Sequence, residues 1–65
     1  MDVYFTVASE TLAEKTQRLL SRYRYPFHVS KITGKNGCTY RFRVSGNADA
    51  VTSLLTAHGI AYQLI

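Results

Sequence analysis

The residues of this chain that could do chemistry are one cysteine and two histidines, and they stand far apart in the sequence. Cys38 lies in the segment 34-GKNGCTYRFRV-44, between a basic, glycine-containing loop and a run typical of a strand. A single thiol forms no disulfide within the chain, but its thiolate is a nucleophile that can carry a sulfur atom. His28 and His58 have no further residues spaced to complete a zinc ligand set, so we expect no metal.

No spacing in the chain is typical of an enzyme active site. The sequence contains no recognisable Ser, His and Asp set, no paired catalytic carboxylates and no phosphate-binding P-loop. We therefore expect a protein that is not an enzyme and that uses no cofactor. Catalysis by His28 is the weaker alternative, because no Asp, Cys or Ser is placed to assist it.

Length and composition favour one small folded domain over residues 1–65. The chain has 65 residues, 46% of them hydrophobic, and its one proline and four glycines are too few for a linker. No apolar run approaches the roughly 20 residues that cross a bilayer, and the first residues do not resemble a secretory signal. We expect a cytoplasmic protein without membrane association. The formal net charge of +4 permits an anionic partner but does not identify one.

Hydrophobic periodicity in the first half of the chain predicts a strand, a helix and a second strand. Val3 to Val7 alternate as in a half-buried strand, and Ser9 is the expected N-cap of a helix that ends before Pro26. A capping box one turn later is the alternative start of this helix. A short strand then runs from Phe27 toward Ile32. The predicted inner stripe of the helix holds Leu12, Ala13, Thr16, Leu19, Leu20 and Tyr23.

The second half repeats this plan. The Asn-Gly dipeptide in 33-TGKNG-37 predicts a turn into an antiparallel strand, which continues to Ser45. Asn47 is the expected cap of a second helix and Gly59 its C′ residue. The apolar side of the strand carries Cys38, Tyr40, Phe42 and Val44. The inner stripe of the helix carries Val51, Leu54, Leu55 and His58. A last strand contains Ile60, Tyr62 and Leu64.

This order, βαββαβ, predicts an α+β, ferredoxin-like sandwich in which two helices cover one face of a four-stranded antiparallel sheet. Right-handed crossovers place the first and third strands in the middle. The residues expected to face the helices are Phe5, Val7, Phe27, Val29, Tyr40, Phe42, Val44, Ile60, Tyr62 and Leu64. The residues expected on the open face are Tyr4, Thr6, His28, Ser30, Thr39, Arg41, Arg43, Ala61 and Gln63.

The open face is a candidate docking surface formed by Tyr4, His28 and Arg43. One exposed aromatic residue beside arginines is compatible with single-stranded RNA binding, although RNA-recognition domains use two or three aromatics on their central strands. A solvated face, or a face that pairs with a second copy of the chain, is the favoured interpretation. An interaction or dimerisation module, and less favourably a small basic RNA-binding domain, therefore stay open as functions.

Cys38 has a structural and a functional interpretation. Its parity with Tyr40 predicts a small residue on the core side of a strand end, and free cysteine is often buried. Gly37 would instead leave the sulfur accessible, and the neighbouring cations Lys31, Lys35 and Arg41 favour a thiolate.

The chain as a whole resembles the small DUF3343 family, described as selenium/sulfur carrier-like. The resemblance lies in the helix ASETLAEKTQRLLSRY, the basic strand and loop, the motif Gly37-Cys38-Thr39-Tyr40 and a second helix closing in HGI. It spans 3–62, and Thr39 stands where members commonly have another glycine. It implies that Cys38 accepts sulfur or selenium and passes it to a protein partner. Gly37 would allow close approach, and Lys35 and Arg41 would favour the thiolate or dock an acidic partner.

Overall fold

The computed structural model describes residues 2–35 and 37–65. The elements are β1 (Asp2–Val7), α1 (Glu10–Arg22), β2 (Phe27–Gly34), β3 (Gly37–Ser45), α2 (Ala48–Ala57) and β4 (Gln63–Leu64). They form one sheet of order β2-β3-β1-β4 in which all neighbouring strands are antiparallel. This confirms the predicted α+β, ferredoxin-like arrangement with the first and third strands in the middle.

The core lies between the helices and one face of the sheet. Phe5 on β1 is opposite Phe42 on β3, which in turn is opposite Val29 on β2. The rings of Phe5 and Phe42 stack with centroids 5.1 Å apart and planes at 3°. The fully or nearly fully buried apolar side chains are Val3, Phe5, Val7, Ala13, Leu19, Leu20, Phe42, Val44, Val51, Leu55 and Ile60. The helices therefore cover this face, as the alternation of β1 and β3 predicted.

Both predicted N-caps are confirmed. The Ser9 hydroxyl accepts a hydrogen bond from the Leu12 amide at 3.1 Å, and the Asn47 side chain accepts one from the Ala50 amide at 3.0 Å. Each cap satisfies one of the backbone donors that the first turn of a helix leaves without a partner. The alternative start of α1 at a later capping box is not used.

Both helices also end in the same backbone arrangement. The residue after the C-cap adopts a left-handed conformation, with φ of +67° at Gly59 and +61° at Arg24. The next amide then bonds back to the helix, from Ile60 to the Leu55 carbonyl at 3.0 Å in α2 and from Tyr25 to Leu20 in α1. This is the Schellman motif, and it confirms Gly59 at C′.

Three predictions at the helix and strand ends are wrong. Tyr23 and His58 are the C-cap residues, and both side chains are exposed, Tyr23 by 52%, instead of lying on the inner stripes. The last strand is shorter than expected, because the Ile60 amide is used in ending α2 and pairing starts at Gln63. Leu64 shares the face of Phe5, but at the sheet edge it is 58% exposed.

Candidate functional site

Cys38 lies on the helix-covered side of β3 but beyond the region that the helices cover. Along this side of the strand, Val44 and Phe42 are fully buried, whereas Tyr40 and Cys38 are half-buried. Tyr40 packs against the hydrophobic core, and Cys38 belongs neither to the core nor to the side chains that pack on it. The prediction of its face is therefore confirmed, and of the two interpretations left open, Cys38 is half-buried beside the core instead of lying within it.

The residues around Cys38 form an exposed hairpin end, which we define as 31–35 and 37–38. Every residue of this hairpin end except Cys38 is exposed. Gly37 has φ of +113°, a conformation that residues with a side chain rarely adopt, and an added Cβ would meet no atom within 4 Å. The glycine before the cysteine is thus explained by the turn. Asn36 of the predicted Asn-Gly turn lies outside the described residues.

The neighbours of the thiol differ from those predicted. Thr33 is directly opposite Cys38, and its hydroxyl oxygen lies 3.9 Å from Sγ, within reach of a weak hydrogen bond. Lys31 is opposite Tyr40 and so shares the face of Cys38. Arg41 is three residues along the strand and therefore points to the opposite face. Lys35 is exposed in the turn. The structure thus separates Arg41 from the thiol that it was expected to support.

The open face of the sheet brings together the predicted docking residues. The register places Tyr4, Arg43 and His28 in one row across β1, β3 and β2, with Arg41 and Ser30 in the next row. These side chains line a shallow depression of about 350 Å³. Tyr4 is 40% exposed and is the aromatic residue of this row on a central strand. The prediction that these residues share one face is confirmed.

An ion pair compensates one of the two arginines on this face. Arg43 Nε donates to Asp2 Oδ2 at 2.9 Å, and the Ser45 hydroxyl donates to Asp2 Oδ1 at 3.2 Å. The hydrogen bond from Arg43 holds the pKa of the Asp2 carboxyl below its ordinary value, and the same bond raises the pKa of Arg43. Arg43 is therefore anchored, and Arg41 makes no ion pair with any described residue.

A second basic surface was not predicted. Lys15, Arg18 and Arg22 follow one another on one side of α1, and together with His58 they surround a depression of about 370 Å³. Their spacing of three and four residues was a sequence signal for a shared helix side. The participation of His58 had no such signal, because it depends on how α2 packs beside α1.

No protein family, curated protein or solved structure that was compared with this chain matches it. The resemblance to the selenium/sulfur carrier-like family therefore stays a prediction.

The described residues offer surfaces for binding and one thiol for chemistry. Within 2–35 and 37–65, no three His, Cys, Asp or Glu side chains come together where they could hold a metal ion. Neither α1 nor α2 is long and apolar enough to span a membrane. His28 lies in the open-face row beside Arg43, with no carboxylate hydrogen-bonded to it among the described residues. Cys38 is the one free cysteine among these residues.

Proposed function

We propose that this domain is a sulfur or selenium carrier-like protein whose Cys38 thiol accepts and donates a sulfane sulfur or its selenium analogue. One observation carries the proposal: Cys38 is the only cysteine of the chain and lies outside the hydrophobic core, on the exposed hairpin end. A cysteine placed for packing would be buried with Phe42 and Val44 on the same side of β3. A carrier needs an accessible thiol, and the half-buried position of Cys38 among exposed residues supports this role.

The surroundings of the thiol support this role. The Thr33 hydroxyl, 3.9 Å from Sγ, can donate to a thiolate or to the sulfur of a persulfide. Lys31 on the same face and Lys35 in the turn place two cations at the hairpin end. Gly37 and the facing residues of the hairpin end are exposed, which leaves room for a partner to approach.

The transfer step balances with a persulfide donor. The Cys38 thiolate attacks the outer sulfur of a protein or small-molecule persulfide, a new S–S bond forms at Sγ, and the S–S bond of the donor breaks. The donor leaves as a thiolate and keeps the electron pair of that bond. An acceptor thiolate removes the outer sulfur from Cys38 by the same exchange. No second cysteine in the chain can complete an internal disulfide, so the loaded state waits for a protein partner.

Intact-mass spectrometry tests the proposal directly. The protein is incubated with a cysteine desulfurase and cysteine, freed of the donor, and analysed without reductant. We expect an adduct of one sulfur atom that maps to Cys38, is lost on reduction and is absent in Cys38→Ser. A small thiol that reacts with persulfides is added to the same tube as a positive control. If that thiol gains sulfur while the protein keeps its unmodified mass, the proposal is contradicted.

A second candidate function is non-enzymatic binding through the open face. The depression of about 350 Å³ lined by Tyr4, His28, Ser30, Arg41 and Arg43 supports it. Pairing with a second copy is tested by sedimentation of the wild type and of Tyr4→Glu, which should weaken any such dimer. Binding of single-stranded RNA instead requires a salt-dependent affinity that falls in Arg41→Ala and Arg43→Ala. A monomer that binds no RNA leaves this face a solvated surface.

A further inference from the structure

The depression between α1 and the end of α2 is a basic surface with an apolar base. We define this basic groove by Lys15, Arg18, Leu19, Arg22 and His58, which surround a volume of about 370 Å³. Its four polar residues are exposed, and Leu19, at 7% exposure, belongs to the core beneath them. The groove lies on the helical side of the molecule, whereas Arg41 and Arg43 lie on the open face of the sheet.

Contacts between the two helices hold the groove together. The Lys15 ammonium group donates to the carbonyl oxygen of His58 at 2.9 Å, which ties α1 to the end of α2. The imidazole ring of His58 lies edge-on to Tyr23, with centroids 6.4 Å apart. His58 is thus fixed from both sides, and the exposed ring of Tyr23 extends the apolar surface beside the cations.

The cations of the groove have no acidic partner within the described residues. The ion pair between Asp2 and Arg43 is the one salt bridge there, and it lies on the sheet face. Glu14 stands one turn before Arg18 but does not pair with it. Arg18 and Arg22 are therefore available to pair with a ligand, and no residue that lines the groove is acidic.

The spacing of the cations decides what kind of anion fits. Seven residues separate Lys15 from Arg22, which is about 10 Å along a helix that rises 1.5 Å per residue. A single phosphate or sulfate is small compared with that length and leaves part of this row of cations without a partner. Both helix ends near the groove are carboxyl ends, whose dipoles disfavour a small anion held against them. A ligand with several separated negative charges and an apolar side chain satisfies these constraints.

We propose that the basic groove docks an acidic amphipathic segment of a partner protein. Carboxylates three and four residues apart on a helical segment have the same spacing as Arg18, Arg22 and Lys15 on α1. An apolar side chain of that segment packs on Tyr23 and on the stem of Arg22, since exposed aromatics and long basic side chains offer apolar surface. The proposal goes beyond sulfur transfer and does not depend on Cys38.

Fluorescence anisotropy with a defined probe tests the proposal. The probe is a fluorescein-labelled amphipathic peptide with glutamates at three- and four-residue spacing and leucines on its other side. The test variant is Arg18→Glu/Arg22→Glu. The matched control is Lys31→Glu/Lys35→Glu, which makes the same change in net charge at exposed positions of the hairpin end. We expect the test variant to bind at least about tenfold more weakly than the wild type and the control within about twofold.

Further measurements make the result decisive. Circular dichroism and thermal unfolding must show both variants folded, and the Arg18→Gln/Arg22→Gln variant, which removes charge without reversing it, should show an intermediate loss. A peptide with glutamine in place of glutamate should not bind, and affinity for the acidic peptide should fall with added salt. Three results would overturn the proposal. The peptide does not bind, or the control variant weakens its binding as much as the test variant does. In the third, oligouridine binds more tightly than the peptide through Arg18 and Arg22.

The failure of this proposal and the failure of the carrier function are distinguishable. Peptide binding is measured in Cys38→Ser as well, and it should be unchanged there, because Cys38 is on the hairpin end and outside the groove. Sulfur loading of Cys38 from a small-molecule persulfide should in turn be unchanged in Arg18→Glu/Arg22→Glu.

Discussion

The two ends of the β2–β3 hairpin share one pattern of alternation but have different surroundings. At the Ser45 end, Phe42 and Val44 are fully buried beneath the helices, and Phe42 stacks on Phe5. At the other end, Thr33 and Cys38 occupy equivalent positions on the same face, yet Thr33 is exposed and Cys38 only half-buried. The difference shows that parity along a strand determines the face of a side chain, whereas the reach of the covering helices determines its burial.

The comparison also separates residues that build the domain from residues available for function. A domain of this size is stabilised by few large side chains, so each is costly to remove. The hairpin end contributes no residue to the core, and changes there should leave the fold intact. Cys38 is therefore a residue whose function can be tested without unfolding the protein.

The largest expected effect is the difference in the free energy of unfolding between a substitution at the buried end of the hairpin and one at the exposed end. Phe42→Ala removes a fully buried ring and should lower the free energy of unfolding by about 3–5 kcal/mol, close to the total of about 3–10 kcal/mol expected for a domain of this length. Cys38→Ala, on the same side of the same strand, should cost less than about 1 kcal/mol. Urea unfolding of the two variants measures both values.

A cost for Cys38→Ala as large as that for Phe42→Ala would show that the hairpin end is part of the core, and the comparison would fail. Amide hydrogen exchange gives a second check, because we expect strong protection only near Phe42. Equal protection at the two ends of the hairpin would also contradict the comparison.

A smaller effect is expected within the hairpin end itself. Gly37→Ala forces a side chain into φ of +113° and should destabilise by about 1–2 kcal/mol, although the new methyl group meets no atom. Gly34→Ala is the matched control, because its Cβ would lie in ordinary contact, 3.8 Å from the Gly37 carbonyl oxygen. It should cost clearly less in the same unfolding assay. Equal costs would mean that the turn does not require a glycine at Gly37.

The smallest effect concerns the ion pair between Asp2 and Arg43, near the Ser45 end of the hairpin. The pKa of Asp2 is lower in the folded protein than its ordinary value of 3.8, mainly because Arg43 donates to the carboxylate. Its ionised form therefore stabilises the fold above pH 3.8, and this contribution disappears as the pH falls through the lowered folded pKa. Asp2→Asn should be slightly less stable than the wild type near neutral pH, and the two should converge in acid.

Thermal unfolding of both proteins across this pH range measures the convergence. Added salt should reduce the difference near neutral pH, because both groups are solvent-accessible. A difference that persists unchanged at low pH would assign the effect of the substitution to packing or to the Ser45 hydrogen bond.

Much of the fold could be predicted from the sequence because its signals are local. The caps Ser9 and Asn47 bond to amides three residues away, and the alternation of β1 and β3 selects their buried face without reference to the rest of the chain. The left-handed C′ position of Gly59 is likewise a local preference. Arg24 adopts the same conformation without a glycine to signal it, so the end of α1 was located only through Pro26.

The parts that could not be predicted depend on tertiary packing. The exposure of Cys38 depends on where the helices end above β3, and alternation alone does not report this. Arg41 is close to Cys38 in the sequence, but the pleat of the strand places it on the other face. The basic groove needs His58 from α2 beside Arg18 and Arg22 of α1. The shortened β4 follows from a backbone bond of Ile60 that competes with strand pairing.

The rate at which Cys38 reacts with iodoacetamide in the native protein tests the central claim most directly. The native rate is compared with the rate in denaturant and with the rate at several urea concentrations below the unfolding transition. A thiol outside the core should be labelled in the folded state at a rate within about tenfold of the unfolded protein and independent of urea. The opposite result would contradict the account. In that case Cys38 is labelled only as fast as the whole domain unfolds, and the labelling rate rises with urea in proportion to the unfolded fraction.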